Sequence, residues 1–163
     1  MFNRRNLSLA TAAIALTVLA GCATPRQAAP VGSTIAARSE LSALSGMLAK
    51  AGLTDTLNGA GNFTVFAPSN DAFAKLPAKT RDALAADPAL LKSTLTYHVL
   101  PVKVMAADVK NGNAKTVNGA DVALSKAGTY VTVEEAMVVV ADIPATNGVV
   151  HVVDTVLIPP VKR

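Results

Sequence analysis

The sequence predicts an α+β domain in which helices come first and most of the sheet comes last. Three observations carry this. Residues 147–160, NGVVHVVDTVLIPP, are mostly apolar on both period-2 faces, so the run asks for a packed layer on each side. Leucines recur at helical spacing before residue 100. Beyond it, short β-branched runs alternate with Asn-Gly and Ala-Gly turns. Helices followed by a meander imply a sandwich-like pair of sheets with helical cover.

The chain has 163 residues, enough for one domain with a real core. Its 51% apolar and 16% charged composition excludes global disorder. The formal charge of +4 falls to +2 once Arg4 and Arg5 are set aside as part of a leader. The remaining Lys and Arg are scattered singly, so no nucleic-acid partner is expected. Trp is absent, and Phe63, Phe66, Phe73, Tyr97 and Tyr130 are the only aromatics beyond Phe2, which argues against a stacking platform.

Residues 1–21 have a charged start and a short apolar stretch, the pattern of a secretory leader. They end in Leu19-Ala20-Gly21-Cys22, which resembles the lipobox of bacterial lipoproteins. That resemblance implies acylation of Cys22, anchoring to a membrane through several acyl chains, and a cell-envelope location. Ala23, where sorting signals carry Asp, resembles lipoproteins of the outer membrane in double-membraned hosts; otherwise the outer face of the cell membrane is expected. Cys22 is the only cysteine, so no disulfide or thiolate metal site can form within the chain. Residues 22–33 read as the lipidated cysteine and a flexible tether, and residues 34–163 as a single domain.

The elements follow in order. Leu41, Leu44 and Leu48 predict a helix over residues 34–51, stopped by Gly52. A helical turn over 53–57 precedes Asn58-Gly59-Ala60-Gly61, a GxG without the rest of a dinucleotide fingerprint. Residues 62–67 read as a strand. Pro68-Ser69-Asn70-Asp71 then opens a helix carrying Phe73 and Leu76, with Ser69 as the cap rather than a nucleophile, since no base is spaced nearby. Two more helices are expected over 79–86 and 88–96, the second opened by Asp87-Pro88. Residues 97–100 read as extended, which would turn Tyr97 and His98 to opposite sides, each filling a core or interface position with its polar tip hydrogen-bonded. A helical turn over 105–109 follows, then strands over 115–117, 121–125, 130–133 and 137–142. The last run would span about 33 Å if fully extended, so a bend near Asp154-Thr155, passing the chain between sheets, is expected.

Little of this converges on catalysis. His151 and Asp154 are three apart in a strand and face opposite ways, and Glu134-Glu135 reads as a solvated pair at a turn. GxSxG, HExxH and P-loop signatures are absent. No catalytic residue, metal site or cofactor is expected, and a hydrolase or metal enzyme is the weakest of the functional readings.

Three segments, in order, resemble one family. NFTVFAPSNDAF (residues 62–73) is similar to the first conserved motif of fasciclin domains. Tyr97-His98, after Leu91 and Leu95, is similar to their tyrosine-histidine motif, and residues 147–160 to their second motif. The resemblance implies a wedge of two β-sheets with several α-helices packed over one side. It also implies a non-catalytic adhesion module that contacts an envelope, matrix or cell-surface protein. In receptor-binding members an Asp-Ile pair and the tyrosine-histidine segment carry the contact; here these are Asp142 and Ile143, and Tyr97 and His98 with Leu95 and Val99. Val140-Ala141 precede the pair and Pro144 follows it, where the receptor-binding version has an acidic residue with proline, then methionine. Some secreted members bind carotenoids, so carriage of an apolar ligand, carotenoid or lipid, is the alternative.

Overall fold

The computed structural model describes residues 28–160. The leader expected over 1–21, Cys22 and the start of the tether lie outside the described residues. The helices are α1 (Val31–Ala36), α2 (Ser42–Lys50), α3 (Thr54–Asn58), α4 (Asn70–Lys75), α5 (Ala78–Ala86) and α6 (Pro88–Tyr97). The strands are β1 (Phe63–Pro68), β2 (Val99–Leu100), β3 (Gly112–Lys115), β4 (Asp121–Ala127), β5 (Tyr130–Val133), β6 (Ala136–Ala145) and β7 (Gly148–Val153). They hydrogen-bond in the order β2-β1-β7-β6-β5-β4-β3, with β1 and β7 parallel and the other pairs antiparallel.

The two-sided burial expected of the last run is what β7 shows, since all six of its residues are buried. Val150 and Val152 face a core shared with Ile35, Leu44, Leu48 and Leu95 of the helices. Val153 faces a second core with Phe66, Leu100, Val122 and Val133, lying on the meander side. β1 divides the same way, with Val65 and Ala67 toward the helices and Phe66 toward the meander. Two sheets with helices over one side are therefore built around the β1–β7 pair.

Local expectations were corrected in several places. The helix expected over 34–51 is three pieces, α1, a 3-10 turn at Ser39–Leu41, and α2, separated by an extended Arg38 (φ −109°, ψ 121°). The reason is long-range. Asn70 Oδ1 accepts from the Ala43 amide at 3.0 Å and Asn70 Nδ2 donates to Ser39 O at 2.9 Å, so a side chain 27 residues ahead caps the start of α2. The tether also ends sooner than residue 33. Val31 and Gly32 are buried in α1, the Thr146 amide donates to Ala29 O at 3.0 Å, and the Val31 amide donates to Asn147 Oδ1 at 2.8 Å. Val31 and Ile35, four residues apart and both wholly buried, are too short a pattern to mark a helix in the sequence.

The sheet changes hands on β6, not at Asp154-Thr155. β6 pairs with β5 at Ala136 and Met137, then with β7 from Val138 onward through two irregularities, the second placing Asp142 at φ +56°. β7 stops at Val153, where Met137 and Asp154 exchange hydrogen bonds: Met137 N donates to Asp154 Oδ1 at 2.8 Å and Asp154 N to Met137 O at 3.1 Å. β3 lies earlier than the expected 115–117, because the amide and hydroxyl of Thr116 both donate to Ala120 O and close a turn there.

Candidate functional site

Tyr97 and His98 end a helix instead of opening a strand. Asp87 Oδ1 accepts from the amides of Ala89 (2.8 Å) and Leu90 (3.1 Å), so α6 is capped at its start and runs through Tyr97 with His98 as its last half-turn. Extended structure begins only at Val99. Leu95, Tyr97, His98 and Val99 are all buried, at 2–3% exposure. Leu95 and Val99 belong to the helix-side core and Tyr97 to the meander-side core.

Both imidazoles are fully committed to backbone. The Leu157 amide donates to His98 Nε2 at 3.0 Å, which makes Nε2 the acceptor; Nδ1 therefore carries the proton and donates to Thr94 O at 2.8 Å. The ring joins the end of α6 to the chain beyond β7. Burial pushes its pKa down to about 4. His151 repeats the arrangement. The Asp142 amide donates to its Nδ1 at 3.1 Å, and Nε2 donates to Val104 O at 2.9 Å, while the ring stacks on Phe66 with centroids 5.7 Å apart. Burial lowers its pKa as well.

These two histidines predict an acid-sensitive fold. Folded pKa values below the unfolded value mean that, as pH falls from 6.5 toward 4, the unfolded chain takes up protons before the native one does. Their stabilisation is complete above pH 6.5, and His98 alone forfeits about 3 kcal/mol by pH 4. Urea titrations across this range should show a steeper fall for the natural chain than for His98→Gln, whose side chain does not titrate. Parallel slopes would contradict the assignment.

The expected contact pair divides. Ile143, expected to carry the contact, is 5% exposed and lies in the helix-side core, where the irregularity at Val140/Ile143 turns it inward. Asp142 is half-buried, and its Oδ1 accepts from the Ala106 amide at 2.8 Å, pinning the 102–106 segment to β6. The six residues expected to meet a partner are thus not gathered on one surface.

What does stand at the surface is the run before Asp142. Met137 is 41% exposed, Val139 53% and Val140 45%, giving β6 an apolar outer stretch. Strict alternation would put Val140 on the face opposite Met137 and Val139, and the irregularity between Val138 and Val140 breaks that alternation. The pattern MVVVA by itself reads as core, so the sequence held no signal for its exposure.

A cavity of about 400 Å³ lies at the Ala136 end of β6 and is lined by Tyr97, Asp121, Glu134, Glu135, Leu157 and Ile158 among others. Glu134, at φ +54°, is not merely solvated: its Oε1 accepts from the Ala123 amide at 2.8 Å and lies 3.2 Å from the Tyr97 hydroxyl. That hydroxyl also donates to Asp121 O at 3.1 Å. Burial, then the Glu134 charge, pushes the Tyr97 pKa up to about 12, so Tyr97 is a donor here and not a base. Among the described residues no group of three or more His, Cys, Asp or Glu could hold a metal ion.

Comparison with known proteins places this arrangement. A family model described as the fasciclin domain matches residues 39–159. Protein sll1483 of Synechocystis is 44% identical over 112 residues, which is 68% of this chain and 62% of that protein. The cell surface glycolipoprotein MPB83 of Mycobacterium bovis is 44% identical over 122 residues, 74% of this chain and 54% of the relative. The immunogenic protein MPB70 of the same species is 44% identical over 119 residues, covering 72% and 61%. The chain therefore spans between about half and three-fifths of the length of these relatives. Among solved structures, the FAS1 domain pair of the insect cell adhesion molecule fasciclin I matches with a TM-score of 0.62 at 18% identity, over 82% of this chain and 51% of the other. At that identity the likeness speaks for the fold alone.

Proposed function

The chain belongs to the fasciclin domain family, and we propose from that premise that it is a non-catalytic, lipid-anchored binding module of a bacterial cell envelope. Acylation of Cys22 after removal of residues 1–21 holds it at the membrane, at the outer membrane where the host has two. Its partner is an envelope, matrix or cell-surface protein, met in adhesion or surface association. The name cell surface glycolipoprotein, borne by a relative 44% identical, supports this reading.

The observation that carries the contact is the exposed apolar run Met137, Val139 and Val140. We assign the partner surface to this run, with Asp142 at its end. Ile143, Leu95, Tyr97, His98 and Val99 support it from within rather than touching the partner. The non-catalytic reading is supported by the chemistry of the buried groups: both nitrogens of each imidazole are occupied, and Tyr97 is held protonated. The apolar-ligand alternative is not favoured, because two cavities with mostly apolar linings are about 150 and 30 Å³, below the roughly 300–1,000 Å³ of ligand pockets, and the cavity of about 400 Å³ is walled by Asp121, Glu134 and Glu135.

The test is a Val139→Lys/Val140→Lys chain returned to its own host. Attachment and aggregation should fall toward the level of the gene deletion while the melting temperature holds, because both positions are solvent-facing. An Asp142→Asn chain, which keeps the acceptor for Ala106 and tolerates positive φ, should attach normally if the apolar run dominates. Full attachment by the double-lysine chain would remove this surface from consideration.

A further inference from the structure

We propose that the end of the domain formed by Ala29, Ala37, Arg38, Pro144 and the β6–β7 turn rests on the lipid surface, and that the acidic cavity at the other end of β6 faces away from it. This rests on the reading of Cys22 as acylated.

The argument is one of reach. From Ala29 onward the chain is fixed to the domain: Ala29 O accepts from the Thr146 amide at 3.0 Å and from the Thr34 hydroxyl at 2.9 Å, and Val31 is wholly buried. Six residues, 23–28, separate Cys22 from that point, so the anchor and Ala29 can be at most about 25 Å apart. β6 runs from Ala136, on the wall of the acidic cavity, to Ala145, paired with Gly148 beside the attachment, a length of about 30 Å. The link is shorter than the strand. A domain held this way can stand on its attached end or lean from it, but it cannot stand upright on its far end.

Charge points in the same direction. Glu134, Glu135 and Asp121 gather at the far end, where an anionic headgroup layer would repel them. The attached end presents an apolar cleft of about 150 Å³ between Ala28, Ala37, Ile143 and Pro144, with Arg38 on its wall. Arg38 pairs with Glu40 at 2.8 Å and keeps 28% of its side chain exposed. A guanidinium beside small apolar side chains suits the phosphate and glycerol depth of a bilayer.

The experiment uses the full acylated chain in vesicles containing phosphatidylglycerol, with one added cysteine carrying an environment-sensitive fluorophore. Pro144→Cys and Ala37→Cys report the attached end and Glu135→Cys the far end; all three positions are exposed. Headgroup-attached quenchers should quench the two near labels several-fold more than the far one. A twenty-residue Gly-Ser insertion between residues 27 and 28 should erase the difference. Equal quenching at both ends of a protein that floats with the vesicles would overturn the orientation while leaving the anchor intact. Failure to float would overturn the anchor, and the orientation with it.

Discussion

Val152→Asp is expected to leave little or no folded domain at 25 °C. Val152 is 2% exposed, stands opposite Ala67 in the parallel β1–β7 pairing, and packs into the core under the helices. A carboxylate there meets apolar side chains on its own face and has no charged partner. Loss of the valine contacts and burial of an unpaired charge together exceed about 4–5 kcal/mol, between a third and nearly all of a total stability of about 5–15 kcal/mol. Circular dichroism and a urea titration measure it directly. A melting temperature near that of the natural chain would mean that one face of β7 reaches solvent.

Gly148→Ala should be the most damaging single-methyl addition in the domain. A Cβ at Gly148 would overlap Phe63 O and sit 3.0 Å from Val31 Cγ2. The first contact is backbone, so β1 must move away from β7 at the start of their register, where Phe63 N donates to Asn147 O at 3.0 Å. We expect a loss of about 3 kcal/mol or more, at the upper end of overpacking costs. Gly46→Ala provides the contrast. That glycine lies in α2 with nothing within 4 Å of an added Cβ, so the same change should stabilise by about 0.5–1 kcal/mol. Chemical denaturation of the pair tests the claim, and similar midpoints for the two variants would sink it.

The two glycines show where sequence reasoning stopped. Asn147-Gly148 reads locally as turn chemistry, and a turn is there. What the dipeptide does beyond it is tertiary: Asn147 Oδ1 holds the start of α1, its Nδ2 donates to Leu57 O at 2.7 Å and Gly59 O at 2.6 Å, and Gly148 lets β1 approach. Partners some 90 residues or more away leave no trace in local spacing. Asn70 is the same case, an apparent turn residue that caps α2.

For the contact surface proposed on β6, the sequence could not say which residues face out. Buried Ile143 and exposed Val139 and Val140 are all β-branched, and composition cannot separate them. The irregularities of β6 do, by breaking the alternation of a regular strand.

The sequence by itself determined the α+β order, the strand buried on both faces, the capping roles of Ser69 and Asp87, and the family. These depend on period, turn chemistry and caps, which are properties of neighbouring residues. Only the tertiary structure decided that Tyr97 and His98 close a helix, that β6 rather than β7 joins the two sheets, and which valines meet solvent. Those outcomes turn on hydrogen bonds and contacts between residues far apart in the chain, where a single backbone amide donating to a ring nitrogen settles both the tautomer and the role of a histidine.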